Sequence, residues 1–242
     1  MRPHAPLLFC VFVSWATLAT AQSAQTLAGM RAYNEGDIAT AYRLLQGEAD
    51  RGDAEAQVNL GYLYARGQGV GTDQHEAFHL YALSAEQGDS EGMSALGYKY
   101  QFGTGIAKDI GRAINWYCRA VEYGNPRAMN NLALMLDDGR ELPRDEAEAR
   151  SLWRQSAALG HTNAMYNLAR SYLWGPEAER DTGQGGVWLL QAARNGQPAA
   201  QEVLRRNGYA GPLPAPFNQA AMMVRSPRQA AGHTKVCGAP IS

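Results

Sequence analysis

An excess of either charge is missing from this 242-residue sequence. Its 22 Lys+Arg stand against 23 Asp+Glu, for a formal net charge of −1. No basic field is available to attract nucleic acid or anionic lipid, so both are excluded as expected partners. Long apolar runs are also missing. Beyond the N-terminus no segment approaches the ~20 residues that a membrane-spanning helix needs, so no membrane insertion is expected once a leader is removed. Strand-like alternation is absent over any useful length, which argues against sheet. Cysteine is limited to Cys10, Cys118 and Cys237. Catalytic constellations are lacking as well. Ser, His and Asp occur in no arrangement suggesting a triad. Gly67-Gln-Gly69-Val-Gly71 lacks the Lys-Ser/Thr ending of a phosphate-binding loop. No cofactor is expected.

The N-terminus reads as a separate object. Arg2 and His4 precede an apolar run from Leu7 to Val13, and Ala19-Thr20-Ala21 forms a small-x-small site. This is the layout of a secretory signal peptide over 1–21, with Gln22 as the first mature residue. The expected location is periplasmic or secreted. Cys10 leaves with the leader. Cys118 and Cys237 then form an even pair in a compartment that permits disulfides. A bridge between them is within reach, and two free thiols are the alternative.

What the sequence has in abundance is a period. Leu60, Leu96, Leu132 and Leu168 recur every 36 residues, as do Gly61, Gly97, Ala133 and Ala169. Tyr64, Tyr100, Leu136 and Tyr172 follow, then Gly67, Gly103, Gly139 and Gly175. The second half of each unit keeps register through Asp73, Asp109, Asp145 and Asp181, and each unit closes on Gly88, Gly124, Gly160 or Gly196. Each column has a physical reason. Asp53, Asp89 and Asn125 stand where a helix N-cap is wanted. Pro126 and Pro198 follow at the first helical position, where proline loses no needed donor. The Gly67 column suits a left-handed helix end. The Asp73 column caps a second helix, and Glu76, Glu148 and Gln184 three residues later give a capping-box spacing. Large side chains such as Tyr81, Tyr117 and Trp153 form the stripe of that second helix, and the small columns allow close helix approach. One unit cannot bury its own stripe, whereas stacked units can.

These columns resemble the Sel1-like repeat, a relative of the tetratricopeptide repeat. The signature runs Ala56-x-x-x-Leu60-Gly61-x-x-Tyr64-x-x-Gly67-x-Gly69-Val70-x-x-Asp73-x-x-x-Ala77-x-x-x-Tyr81. Glu141 and Glu177 replace its second glycine in units three and four, so their turns are expected to differ. The resemblance implies an all-α fold, a right-handed superhelical solenoid. The expected organisation is N-terminal capping helices over 22–52 and units over 53–88, 89–124, 125–160 and 161–196. A C-terminal capping helix over 197–208 and an extended or disordered tail over 209–242 complete it. The resemblance also implies a non-enzymatic role: a scaffold or adaptor that binds another protein on its concave face. An immunity protein that neutralises a type VI secretion effector of the phospholipase type is the alternative.

Carried over by column, the concave face comprises first-helix residues away from the stripe. They are Asn59, Tyr62 and Arg66 in unit one, and Tyr98, Gln101 and Phe102 in unit two. Unit three gives Asn130, Asn131, Asp137 and Asp138, and unit four gives Tyr166, Asn167, Arg170 and Trp174. Aromatics and Arg suit an interface anchor, while the asparagines equally suit ties between neighbouring backbones. No column repeats a basic residue, so a clamp for a terminal carboxylate is not indicated. His75-Glu76-Ala77-Phe78-His79 spells a zinc-protease string. Both histidines, however, fall on the face opposite Ala77, which faces the core, and no metal site is expected.

Overall fold

The structure, a computed structural model, describes residues 15–177, 180–208 and 235–238. Among them all regular structure is helical. The helices are α1 (Trp15–Asn34), α2 (Ile38–Ala49), α3 (Ala54–Arg66), α4 (Gln74–Glu86), α5 (Ser90–Phe102) and α6 (Ile110–Glu122). They continue as α7 (Pro126–Asp138), α8 (Glu146–Ala158), α9 (Thr162–Trp174), α10 (Thr182–Arg194), α11 (Pro198–Arg206) and α12 (Lys235–Gly238). Each unit is one antiparallel pair, α3/α4 through α9/α10, and each pair packs on the next in chain order. The result is a solenoid. Residues 1–14 of the expected leader lie outside the described residues, and α1 begins within its last part.

The caps act as their columns predict. Asp53, Asp89 and Asn125 accept from the backbone N–H of Ala56, Gly92 and Ala128 at 2.7–2.8 Å. His161 takes the same slot with Nδ1 toward Ala164. Asp109, Asp145 and Asp181 cap α6, α8 and α10 in the same way. Each such cap contributes ~1 kcal/mol. The capping box needs correction. The backbone N–H of Asp73, Asp109, Asp145 and Asp181 is already taken by the carbonyl of Tyr64, Tyr100, Leu136 and Tyr172, at 2.9–3.2 Å. That bond folds the second helix back onto the first and leaves the Glu76 column nothing to satisfy. Gln184 bonds the Asp181 carboxylate instead, and Glu148 accepts from Val236 N–H at 3.3 Å.

Packing explains the small columns. A Cβ on Gly61 would lie 2.6 Å from Tyr81 Cε1, and one on Gly97 2.7 Å from Tyr117 Cδ1. The ring of the second helix therefore rests on the backbone of the first. Tyr117 and Trp153 are buried with Leu132 and Leu168 in a core that runs from Ala77 to Ala200. A smaller cluster of Leu45, Leu60, Leu63 and Leu80 seals the N-terminal end, with Ala41, Leu45 and Ala49 of α2 buried as the cap columns require.

Two expectations change. The left-handed helix end holds at Gly67, Gly103 and Gly139. At Gly175 the backbone is extended, with φ −70° and ψ −171°. Pro176 is the reason, because the residue before proline is pushed out of compact conformations. The tail is not extended throughout: residues 235–238 form α12, and Cys237 is disulfide-bonded to Cys118 on α6, with 5.4 Å between the Cα atoms. Val236 and Cys237 pack against the main core. The rest of the predicted tail, 209–234 and 239–242, lies outside the described residues.

Candidate functional site: the inner groove

The first helices form one layer and the second helices the other. Successive first helices touch (α1 with α3, α3 with α5, α5 with α7), whereas no two successive second helices pack as closely. The first-helix layer therefore lies on the inside of the curve. A groove runs along it in overlapping stretches. One stretch, lined by Tyr33, Asn59, Tyr62, Arg66 and Arg127 among others, adjoins the N-terminal cap. The next, about 670 Å³, shares Tyr62, Arg66 and Arg127 with it and extends to Tyr98 and Asn131. A third, about 1020 Å³, runs from Tyr98 and Phe102 to Asp137 and Arg144. The last passes Asp137, Arg170 and Trp174.

Most of the residues expected on this face line it, but their roles divide. Tyr98, Phe102 and Trp174 are the open aromatic surface, 49–56% exposed, with the Tyr98 and Phe102 rings 4.5 Å apart. Tyr62 is half-buried. Its ring meets Tyr81 edge-on at 5.4 Å, and its hydroxyl accepts from Arg127 Nη1 at 2.6 Å. Burial raises its phenol pKa, and the Arg127 charge works against that rise. Arg66 and Arg170 line the groove as exposed cations. The amides are mostly occupied within the fold. Asn130 and Asn167 are buried and joined by a 2.9 Å bond between neighbouring first helices. Asn59 donates to Glu55 O in its own helix, and the Asn131 amide lies near the Tyr117 hydroxyl. Gln101 accepts from Tyr117 and donates to Glu141. Asp138 pairs with Arg140 at 2.9 Å, while Asp137 opens on two stretches of the groove. Tyr166 packs against the core and is absent from the lining described above.

Several lining residues were not singled out from sequence. Lys99 is 3% exposed and stands in a column otherwise filled by Leu63, Met135 and Ser171. That oddity was the available signal. Its ammonium meets Gln74 Oε1 and lies 5.7 Å from the centre of the Tyr81 ring. Burial lowers its pKa. Arg127 stands in the first turn of α7, where the helix dipole favours acids, and Glu55 and Glu91 hold the same slot in units one and two. It sits 5.3 Å from the centre of the Tyr62 ring and 3.5 Å from Glu91. His161 lines the same stretch. Burial, then the Arg127 charge, holds its pKa below the usual histidine range.

Charge divides the groove. The stretch between α3 and α7 carries Arg66, Lys99, Arg127 and His161, and no carboxylate lines it. The stretch between α5 and α8 mixes Lys108, Arg140 and Arg144 with Asp137, Asp138 and Glu141. Burial would raise the Glu141 pKa, but bonds from Lys108 and Gln101 outweigh it and hold the carboxyl below its ordinary value. His75 and His79 are exposed on α4, in the outer layer. Among the described residues no group of three His, Cys, Asp or Glu is placed to hold a metal.

Comparison with known proteins agrees with this architecture. The Sel1 repeat matches residues 54–89, 90–125, 126–161 and 162–197. A Sel1 repeat protein from Oxalobacter formigenes is similar in structure, with TM-score 0.67 and 29% identity, over 82% of this chain and 85% of that one. So is a protective antigen of uropathogenic Escherichia coli displaying the same repeat fold, with TM-score 0.60 and 30% identity. That match covers 82% of this chain but 44% of the antigen. A Sel1 repeat protein from Klebsiella pneumoniae, 22% identical with TM-score 0.56 over 81% of this chain and 97% of that one, shares the fold. No curated protein matches the chain. Four contiguous repeats and an unbroken register of caps, rings and closing glycines say the same thing: the chain belongs to the Sel1 repeat family.

Proposed function

We propose that this chain is an exported, non-enzymatic scaffold or adaptor, periplasmic or secreted, that binds a segment of a partner protein along the concave face. Sel1 repeat proteins generally mediate protein–protein interactions and are typically non-enzymatic. The observation that carries the reading for this chain is the Tyr98–Phe102 pair. Two large rings lie 4.5 Å apart on the inner layer and remain about half exposed. Exposed aromatics at the centre of a groove are the usual anchors of an interface. The lining widens from a tyrosine–arginine wall to an acid–base wall, which suits an extended segment or loop. The described end of the tail docks away from this surface, with Cys237 tied to α6 and Val236 to α8 in the outer layer. The disulfide suits an oxidising compartment, and the leader-like N-terminus supports export.

The test is capture from the envelope of the native host with the tagged mature chain. Replacing Tyr98 and Phe102 together by alanine should reduce partner recovery at least tenfold, with the helical content unchanged. Undiminished recovery would move the site off the groove. The identity of the captured protein separates an adaptor from an immunity protein, since the latter would retrieve a secreted phospholipase.

A further inference from the structure

We propose that the α3–α7 stretch of the groove contains a subsite for one carboxylate side chain, an Asp or Glu of the bound segment, with Lys99 as its counter-ion. The proposal rests on the concave-face reading and specifies what that face recognises.

Lys99 is the first observation. A buried cation is normally paired with an anion, because the loss of hydration is otherwise uncompensated. Here the ammonium is 3% exposed. Its neighbours are a neutral amide oxygen, Gln74 Oε1, and the Tyr81 ring. Both stabilise a cation without neutralising it. Two hydroxyls supply the second observation. Ser94 Oγ and Thr104 Oγ1 are buried and have no protein hydrogen-bond partner, and both line the same stretch as Lys99. Ser94 lies on α5 with Lys99, and Thr104 lies in the turn that follows it. Ser94 and Thr104 stand at opposite ends of α5, so one carboxylate reaches only one of them; beside Thr104, whose backbone N–H bonds Lys99 O, it would accept from that hydroxyl and from the ammonium.

The surroundings favour an anion of single charge. No Asp or Glu lines the stretch, whereas Arg66 and Arg127 do. Glu91, which does not line the stretch, is engaged by Arg127 and by Asn125 Nδ2. Arg127 is in turn fixed by Tyr62 and Arg66 is exposed to solvent, so Lys99 is the buried cation of this stretch without a carboxylate. A side chain fits better than a chain end because the groove continues on both sides. It shares Tyr62 and Arg66 with the stretch toward the N-terminal cap, and Tyr98 and Asn131 with the stretch toward α8. A segment that ended here would leave one arm unfilled.

The experiment is an amide-resonance titration of the isotopically labelled mature chain with four N-acetylated pentapeptides, three of them also amidated at the C-terminus. One carries a central Glu (acetyl-Ser-Ala-Glu-Ala-Ser-amide), and the second carries Gln in its place. The third is the Gln peptide with a free C-terminal carboxylate, and the fourth carries phosphoserine at the centre. The Glu peptide should shift resonances in 94–104, and the other three should bind at least tenfold more weakly. Lys99→Gln should weaken the Glu peptide at least tenfold, and Thr104→Val, which leaves the buried lysine in place, severalfold. Equal affinity for the Glu and Gln peptides overturns the proposal. So does Glu-peptide affinity left unchanged in either folded variant. Tighter or equal binding of the free-end or phosphoserine peptide overturns the side-chain assignment. None of these results touches the concave-face reading, which stands or falls on capture by the Tyr98/Phe102 variant.

Discussion

In units one and two the third residue of the turn between the helices is glycine, Gly69 or Gly105, whereas in units three and four it is glutamate, Glu141 or Glu177. In unit two the second glycine is obligatory. Gly105 has φ +81°, and a Cβ there would lie 2.1 Å from the backbone oxygen of Gln74. In unit one the same approach is made to a side chain, Ile38 Cγ2 at 2.7 Å from a Cβ on Gly69. In unit three Glu141 reaches across to unit two instead, bonding Lys108 and Gln101 at 2.8 Å. Units one and two thus meet the preceding element by close approach of a glycine backbone, and unit three meets unit two through polar side chains. The groove follows the same division. It is cationic and free of lining carboxylates where the turns are glycine-rich, and mixed in charge where glutamate has entered.

The comparison can be broken at its strongest point first. Gly105→Ala should cost about 3 kcal/mol or more, because it adds a backbone clash to a left-handed conformation. Gly69→Ala should cost less, since Ile38 can give way. Denaturant unfolding of both variants measures the gap, and equal losses would deny the distinction. A smaller effect is expected from Cys237→Ser. The bridge spans 119 residues, but in the folded chain it mainly tethers the tail beyond α11. Only the difference between closing the long loop and closing the tail counts, about 1 kcal/mol by loop-closure scaling. A loss near 4 kcal/mol would contradict that account. Glu141→Gly should cost at most about 1 kcal/mol, the usual scale for a partly exposed ion pair, and high salt should shrink the difference.

The mildest prediction concerns pH. His161 has a depressed folded pKa, so the unfolded chain binds the proton more readily. Its contribution to stability is complete above the ordinary histidine value of 6.5 and is lost as pH falls below it toward the folded pKa. His161→Asn keeps an N-cap residue and removes the titration. The melting temperature of the variant should therefore fall less than that of the wild type between pH 7 and pH 5. Parallel curves would refute the assignment.

Much of this was legible in the sequence because one period carries several kinds of information. Leu60 and its equivalents mark the core, Asp73 and its equivalents mark a helix start, and variable columns between them mark the inner face. Tyr98, Phe102 and Trp174 followed from that contrast. The capping box misled because the Asp73 N–H is satisfied by Tyr64 O, a contact between helices that local spacing does not reveal. The Asn130–Asn167 bond depends on the separation of neighbouring first helices, which no single column encodes. Lys99 was hidden by its position in a core column, held by Leu63, Met135 and Ser171 in the other units. The extended backbone at Gly175 was written in Pro176 but was overshadowed by the glycine pattern. The Cys118–Cys237 bridge stood in the sequence as one of two alternatives, because Cys237 and α12 lie beyond the period, where the repeat offers no register.

The central claim is that the inner layer, and not the outer one, receives the partner. Site-specific photocrosslinking tests it most directly, with a crosslinker placed in turn at Phe102 on the inner layer and at Val187, an equally exposed position on α10. The account predicts a crosslinked partner from Phe102 and none from Val187. Crosslinking from Val187 alone would contradict it.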